Sequence, residues 1–228
     1  FKQKTAYEML RSLVGSEMCI RDRIITGAGR GFTAGADLGE REASWTDTKD
    51  ALMRGYHPFI SNIIEMPKPV IGSINGAAAG IGAAVAMACD LRIMAKESYI
   101  LSVFSNIALV PDGGLSFFLA RAIGYSRALE YAIEAKRISA DECLNLGIAN
   151  KVVELSSLKA KTNEWAELLA KRSPQALAHT KKLMKNAIVQ TFDETFLAEA
   201  DAQTSIFGNA ENLEGVTAFF EKREPNFK

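Results

Sequence analysis

The chain has 228 residues, enough for one sizeable domain or a domain with a small appendage, and its 27 basic and 27 acidic residues cancel with no basic stripe. That balance argues against a nucleic-acid partner. The absence of a bilayer-length apolar run, and of a signal-peptide core in FKQKTAYEML, leads us to expect a soluble protein of the cytoplasm or an organelle matrix. In chain order, Ala6, Met9, Leu10 and Leu13 recur at helical spacing and predict a first helix over 4–14. A strand is expected around Arg23–Thr26, followed by the glycine-punctuated loop TGAGRGFTAGADL. Its GxG is too short for a dinucleotide fingerprint. Residues 47–65 read as an amphipathic helix interrupted near Pro58, and MPKP stops it before the strand VIGSI.

Residues 74–90, INGAAAGIGAAVAMACD, combine three glycines with a run of alanines. Small residues let backbone approach backbone or ligand, and the segment from Ala83 to Ala88 is too apolar for an exposed helix. A helix start near Gly80–Gly82 would offer unpaired N–H groups and partial positive charge to a carbonyl oxygen or an anion. The other reading is a small-residue helix packed into a core.

Short strands are expected at DLRIMA and SYILSV, then a loop with a Pro-Asp-Gly-Gly turn feeding a helix through residue 124. The repeated order of strand, glycine-rich loop and helix implies a layered α/β core. Beyond Tyr125 the pattern turns helical, with Ser139 placed as an N-cap, Gly147 as a C-cap, a short strand at 150–153, and Ser173-Pro174 opening a later helix. Cys19, Cys89 and Cys143 form no metal-ligand pattern; Cys89 and Cys143 read as buried thiols, which fits a reducing compartment. His57 and His179 are the only histidines, and neither sits in a triad-like arrangement.

Six blocks in order, ITGAGRGFTAGADL, KPVIGSINGAAAGIGAAVAMACDLRIMA, LVPDGGLSFFLARAIG, AKRISADECLNLGIANKVV, SPQALAHTKKLM and EGVTAFFEKREPNF, resemble the crotonase, or enoyl-CoA hydratase/isomerase, superfamily over residues 24–228. The resemblance implies an α/β fold, a spiral of ββα units with a helical C-terminal trimerisation region. It divides the chain into an N-terminal segment 1–23, a core 24–153 and a helical region 154–228. It implies an acyl-CoA thioester as substrate, a homotrimer or dimer of trimers, and no metal or redox cofactor, CoA being part of the substrate.

Carried over onto matching residues, the resemblance implies that the backbone N–H groups of Ala36 and Ile81 polarise the thioester carbonyl, an oxyanion hole. Ala34, Asp37 and Leu38 resemble the segment that cups the adenine end of CoA, and Lys222 and Arg223 resemble basic residues near the CoA phosphates. For Lys222 and Arg223 a solvated helix face is an equal reading. Hydratases of the family use two glutamates, and the matching positions here hold Ala84 and Phe104, neither of which transfers protons. Asp112 then resembles the single base of isomerases that migrate a double bond; alternatively it is a turn residue that N-caps the next helix. Phe104, Phe117 and Phe118 would make the acyl pocket apolar and raise the pKa of Asp112.

Residues 1–23 depart from the pattern. The family's opening hairpin is absent, KTAYEML resembles the following helix, and SLVGSEMCIRDR resembles read-through of a sequencing adapter. The expected activity is enoyl-CoA isomerisation. The alternatives are an enoyl-CoA hydratase or other acyl-CoA reaction on the same scaffold, and a catalytically silent acyl-CoA-binding protein.

Overall fold

The computed structural model describes residues 23–37 and 45–227. The helix expected over 4–14, the segment 12–23 up to Arg23, Cys19 and Leu38 lie outside the described residues. The described residues fall into two compact units, one of residues 24–37, 45–65 and 70–162, the other of Arg23, 66–69 and 163–227.

The strands β1 (Arg23–Thr26), β2 (Val70–Ile74), β4 (Leu91–Ala95) and β7 (Lys151–Val153) form one sheet in the order β1-β2-β4-β7. Strand β2 runs parallel to β4, with Ile71 opposite Leu91, and β4 runs parallel to β7. Every residue of β2 is buried, as expected of a parallel strand covered on both faces. A second sheet joins β3 (Ala77–Ala79), β5 (Tyr99–Leu101) and β6 (Arg137–Ser139), the first pair parallel and the second antiparallel. Strands β3 and β6 carry too few residues for alternation to show in the sequence, and their strand character comes from pairing with β5.

The interruption foreseen near Pro58 takes a definite form. After a helical turn at Thr48–Asp50, residues Ala51–Tyr56 wind as a π-helix, and α1 (His57–Glu65) follows. The His57 N–H donates to the Leu52 carbonyl, five residues back, so the turn before Pro58 is widened. A proline ring inside a regular α-helix collides with the carbonyl four residues earlier, and the wider turn relieves that contact.

Helix α2 (Ile81–Ala88) is buried along its whole length, and α3 (Leu115–Ile123) and α4 (Tyr125–Ile133) follow. The next helix, α5 (Ala140–Asn145), opens with Ser139 and Glu142 in a reciprocal capping box, and Gly147 adopts φ 75° just past its end. Cys89 and Cys143 are buried and form no disulfide; burial pushes the Cys143 thiol up to about 12. Half-buried Arg92 donates to the carbonyls of Met87, Cys89 and Ile148, closing the end of α2. Helix α6 (Leu155–Ala170) is divided between the units after Thr162.

The smaller unit is helical: α7 (Pro174–Ala187), α8 (Phe192–Ile206) and α9 (Ala210–Glu221). Ser173 accepts from the Ala176 N–H with Pro174 at the first helical position, as the sequence predicts. Phe192, Phe196, Phe207, Phe219 and Phe220 are exposed in the single chain.

Candidate active site

The site is built on glycines that let two backbone segments touch. After β1 the chain runs beside β3: the N–H groups of Phe32 and Thr33 donate to the Ala77 carbonyl, and Ala79 N–H donates to the Thr33 carbonyl at 2.9 Å. Asn75 secures the preceding loop, accepting from Gly27 N–H at 3.1 Å and donating to the carbonyls of Gly29 and Gly31. Gly35 has φ 107°, and a Cβ there would lie 3.0 Å from the Ala79 carbonyl oxygen. A Cβ on Gly80, φ 56°, would lie 3.8 Å from the Gly35 Cα. The residues that follow these two apposed glycines are Ala36 and Ile81.

Ile81 is the first residue of α2, and its N–H finds no protein acceptor among the described residues; nor does that of Ala36. Two unpaired donors beside one glycine contact, one at the positive end of a helix, can bind an oxygen that carries or develops negative charge. Gly82 keeps the contact close, since a Cβ there would fall 2.3 Å from Thr33 Cγ2.

Asp112 lies over the same helix start. A Cβ on the neighbouring Gly113, φ 60°, would sit 2.2 Å from Ile81 Cδ1, 2.9 Å from Ala84 Cβ and 3.2 Å from Ile60 Cδ1. The Asp112 carboxylate does not cap α3. Leu115 N–H donates to the Asp112 backbone carbonyl at 3.0 Å, and the cap position is Gly114, without a side-chain bond. Oδ1 of Asp112 is instead buried with no hydrogen-bond partner, and burial holds the carboxyl above the usual carboxylate range. An unpaired carboxylate oxygen beside an apolar helix start can serve as a proton acceptor.

Ala84 is fully buried in α2, and Phe104 is buried, its ring Cζ 3.9 Å from where a Gly80 Cβ would be. Phe118 is half-buried. Phe117, by contrast, is 52% exposed and stacks on the Arg121 guanidinium at 3.6 Å, so within one chain it does not wall an enclosed pocket.

One polar residue belongs here that no motif announces. Tyr56, half-buried at the end of the π-helical segment, titrates above its usual range because of burial first and then the charges of Asp112 and Asp37. Its sequence signal is no more than its place two residues before Pro58.

Ala34 and Asp37 are exposed on the loop that carries Ala36. Lys222 and Arg223 lie in the smaller unit, Lys222 in the left-handed conformation that ends α9. Arg223 forms a two-pronged pair with Glu214, at 2.7 and 3.0 Å, which with the Asn226 N–H holds the Glu214 carboxyl down to about 2, and Arg223 also contacts Glu221 at 2.6 Å.

The two sheets, the buried glycine-framed helix and the helical C-terminal region make this a crotonase-type α/β fold. The chain belongs to the enoyl-CoA hydratase/isomerase family, whose model matches residues 1–228. It is 35% identical over 212 residues to 1,2-epoxyphenylacetyl-CoA isomerase of Escherichia coli, covering 91% of this chain and 81% of that protein. It is 34% identical over 204 residues to a probable enoyl-CoA hydratase of Rhodobacter capsulatus, covering 90% of this chain and 79% of the relative. The crystal structure of an enoyl-CoA hydratase from Bacillus anthracis superposes with a TM-score of 0.90 at 32% identity, covering 98% of this chain and 88% of that one. No helix among the described residues is long and apolar enough to cross a membrane.

Proposed function

We propose that this enzyme migrates the double bond of an enoyl-CoA, with Asp112 as its one base and the Ala36 and Ile81 N–H groups as the oxyanion hole. The observation that carries this reading is the buried, unpartnered Oδ1 of Asp112, one residue from the Gly113 contact with Ile81. In the reaction, the Asp112 carboxylate takes a proton from C2 of a 3-enoyl-CoA. The electron pair passes into the thioester as a dienolate whose oxygen accepts from the two N–H groups. The same carboxyl then returns the proton to C4, leaving the double bond between C2 and C3. Each preorganised donor is worth about 3–4 kcal/mol to such a transition state, and a positioned base contributes about 10²–10⁴-fold.

Ala84 and Phe104 support isomerisation over two-carboxylate hydration, since the positions that resemble the hydratase glutamates cannot move a proton. The name of the Escherichia coli relative points the same way, and that of the Rhodobacter capsulatus relative points to hydration. By resemblance, Ala34, Asp37 and Leu38 contact the adenine end of CoA, and Phe104 lines the acyl site. The exposed phenylalanines of the C-terminal helices fit burial in a homotrimer, which sedimentation velocity would measure.

The test is product analysis with 3-hexenoyl-CoA and 2-hexenoyl-CoA. Interconversion of the two without 3-hydroxyhexanoyl-CoA supports the assignment, whereas hydration as the faster reaction overturns it.

A further inference from the structure

Two polar groups share one stretch of an otherwise apolar wall, and only one of them has a role so far. Tyr56 closes the π-helical turn that runs directly into α1, and Ile60 lies four residues further on, one turn along the same face of the continuous helical segment. Ile60 is the residue packed under Gly113, next to Asp112. The π-helical turn that ends at Tyr56 is pinned by Gly55, which is buried so close to the Trp45 ring that a Cβ would approach Cζ2 to 3.0 Å. Tyr56 is therefore held on the face that meets the Asp112 turn.

The phenol is not committed to a protein partner. No hydroxyl hydrogen bond joins Tyr56 to any described residue, and Oδ1 of Asp112 is likewise unpartnered, so the two are not spent on each other. The charged groups acting on Tyr56 are both carboxylates, Asp112 and then Asp37. With burial they keep the phenol neutral, hence a donor, at physiological pH. The wall thus offers an acceptor, Asp112, and a donor, Tyr56, to whatever occupies the pocket.

We propose that Tyr56 is a specificity residue, donating its O–H to an oxygen carried on the acyl chain near the carbons served by Asp112. This rests on the isomerase reading above, in which Asp112 works between C2 and C4, and it narrows the substrate class to acyl-CoA thioesters oxygenated at that stretch. A hydrocarbon chain would leave the donor facing apolar surface, and sites built to hydrogen-bond an oxygen discriminate against ligands that lack it.

The probe pair is hexanoyl-CoA and 4-oxohexanoyl-CoA. The added ketone accepts but cannot donate, so it can gain a bond from Tyr56 and none from Asp112. Affinities are measured by titration calorimetry on the wild type and on Tyr56→Phe. The wild type is expected to prefer the oxo compound about tenfold, the scale of one hydrogen bond, and Tyr56→Phe to reduce the ratio to within about twofold. A wild type without preference, or a preference that survives in Tyr56→Phe, overturns the proposal. The wild-type comparison requires no variant to fold. Asp112→Asn assayed on 3-hexenoyl-CoA tests the base separately, so failure of one assignment is distinguishable from failure of the other.

Discussion

Replacing Gly113 by alanine probes the contact that joins the Asp112 turn to the start of α2. The native φ of 60° is left-handed, which costs a residue with a Cβ about 1–2 kcal/mol. The new methyl would lie 2.2 Å from Ile81 Cδ1, a side-chain tip that can swing, and 2.9 Å from Ala84 Cβ, which moves only with the helix. Overpacking of this kind adds about 1–3 kcal/mol, so the expected loss in urea unfolding is about 2–5 kcal/mol. Ile81→Val removes the offending δ-methyl at a cost of about 0.5–1.5 kcal/mol alone. In the double variant it should recover about 1 kcal/mol of the Gly113→Ala loss, leaving the left-handed strain and the Ala84 contact in place. Strict additivity of the two substitutions, or a Gly113→Ala loss below about 1 kcal/mol, would refute the packing described here.

Three further outcomes are expected. Burial raises the Asp112 carboxyl, so its folded-state pKa exceeds its unfolded one, and its effect on stability is most favourable in acid and is lost as pH rises through the folded value. Asp112→Asn should therefore melt higher than wild type at pH 7, a difference that fades below the ordinary carboxylate range; a lower melting temperature at pH 7 would contradict the unpaired state of Oδ1. Arg92→Met leaves three carbonyls at and near the end of α2 without their charged donor and should cost at least about 2 kcal/mol in urea unfolding. Cys143, with its thiol pushed up to about 12 and its side chain buried, should resist iodoacetamide at pH 8 until denaturant is added, as followed by mass spectrometry.

Features that depend on neighbours in sequence were legible, and those that depend on distant contacts were not. The apolar runs of β1, β2 and β4 and the caps at Ser139 and Ser173 depend on periodicity and on side chains within three residues, so they could be read directly. The three-alanine strand β3 is invisible until β5 pairs with it. Asp112 could be marked as a candidate, but whether it caps α3 or faces the pocket depends on burial that only the folded chain supplies. Phe117 shares its helix with Phe118 yet turns outward to Arg121, a difference that the adjacent letters do not encode. Tyr56 was hidden because the carboxylates whose charges act on it, Asp112 and Asp37, lie on separate loops far from it in sequence.

The most direct test of the account is the turnover of 3-hexenoyl-CoA by Asp112→Asn, measured beside its affinity for hexanoyl-CoA. With the base removed and the pocket shape kept, kcat should fall by about 10²–10⁴ while the saturated ester still binds. Turnover within a fewfold of wild type would contradict Asp112 as the base.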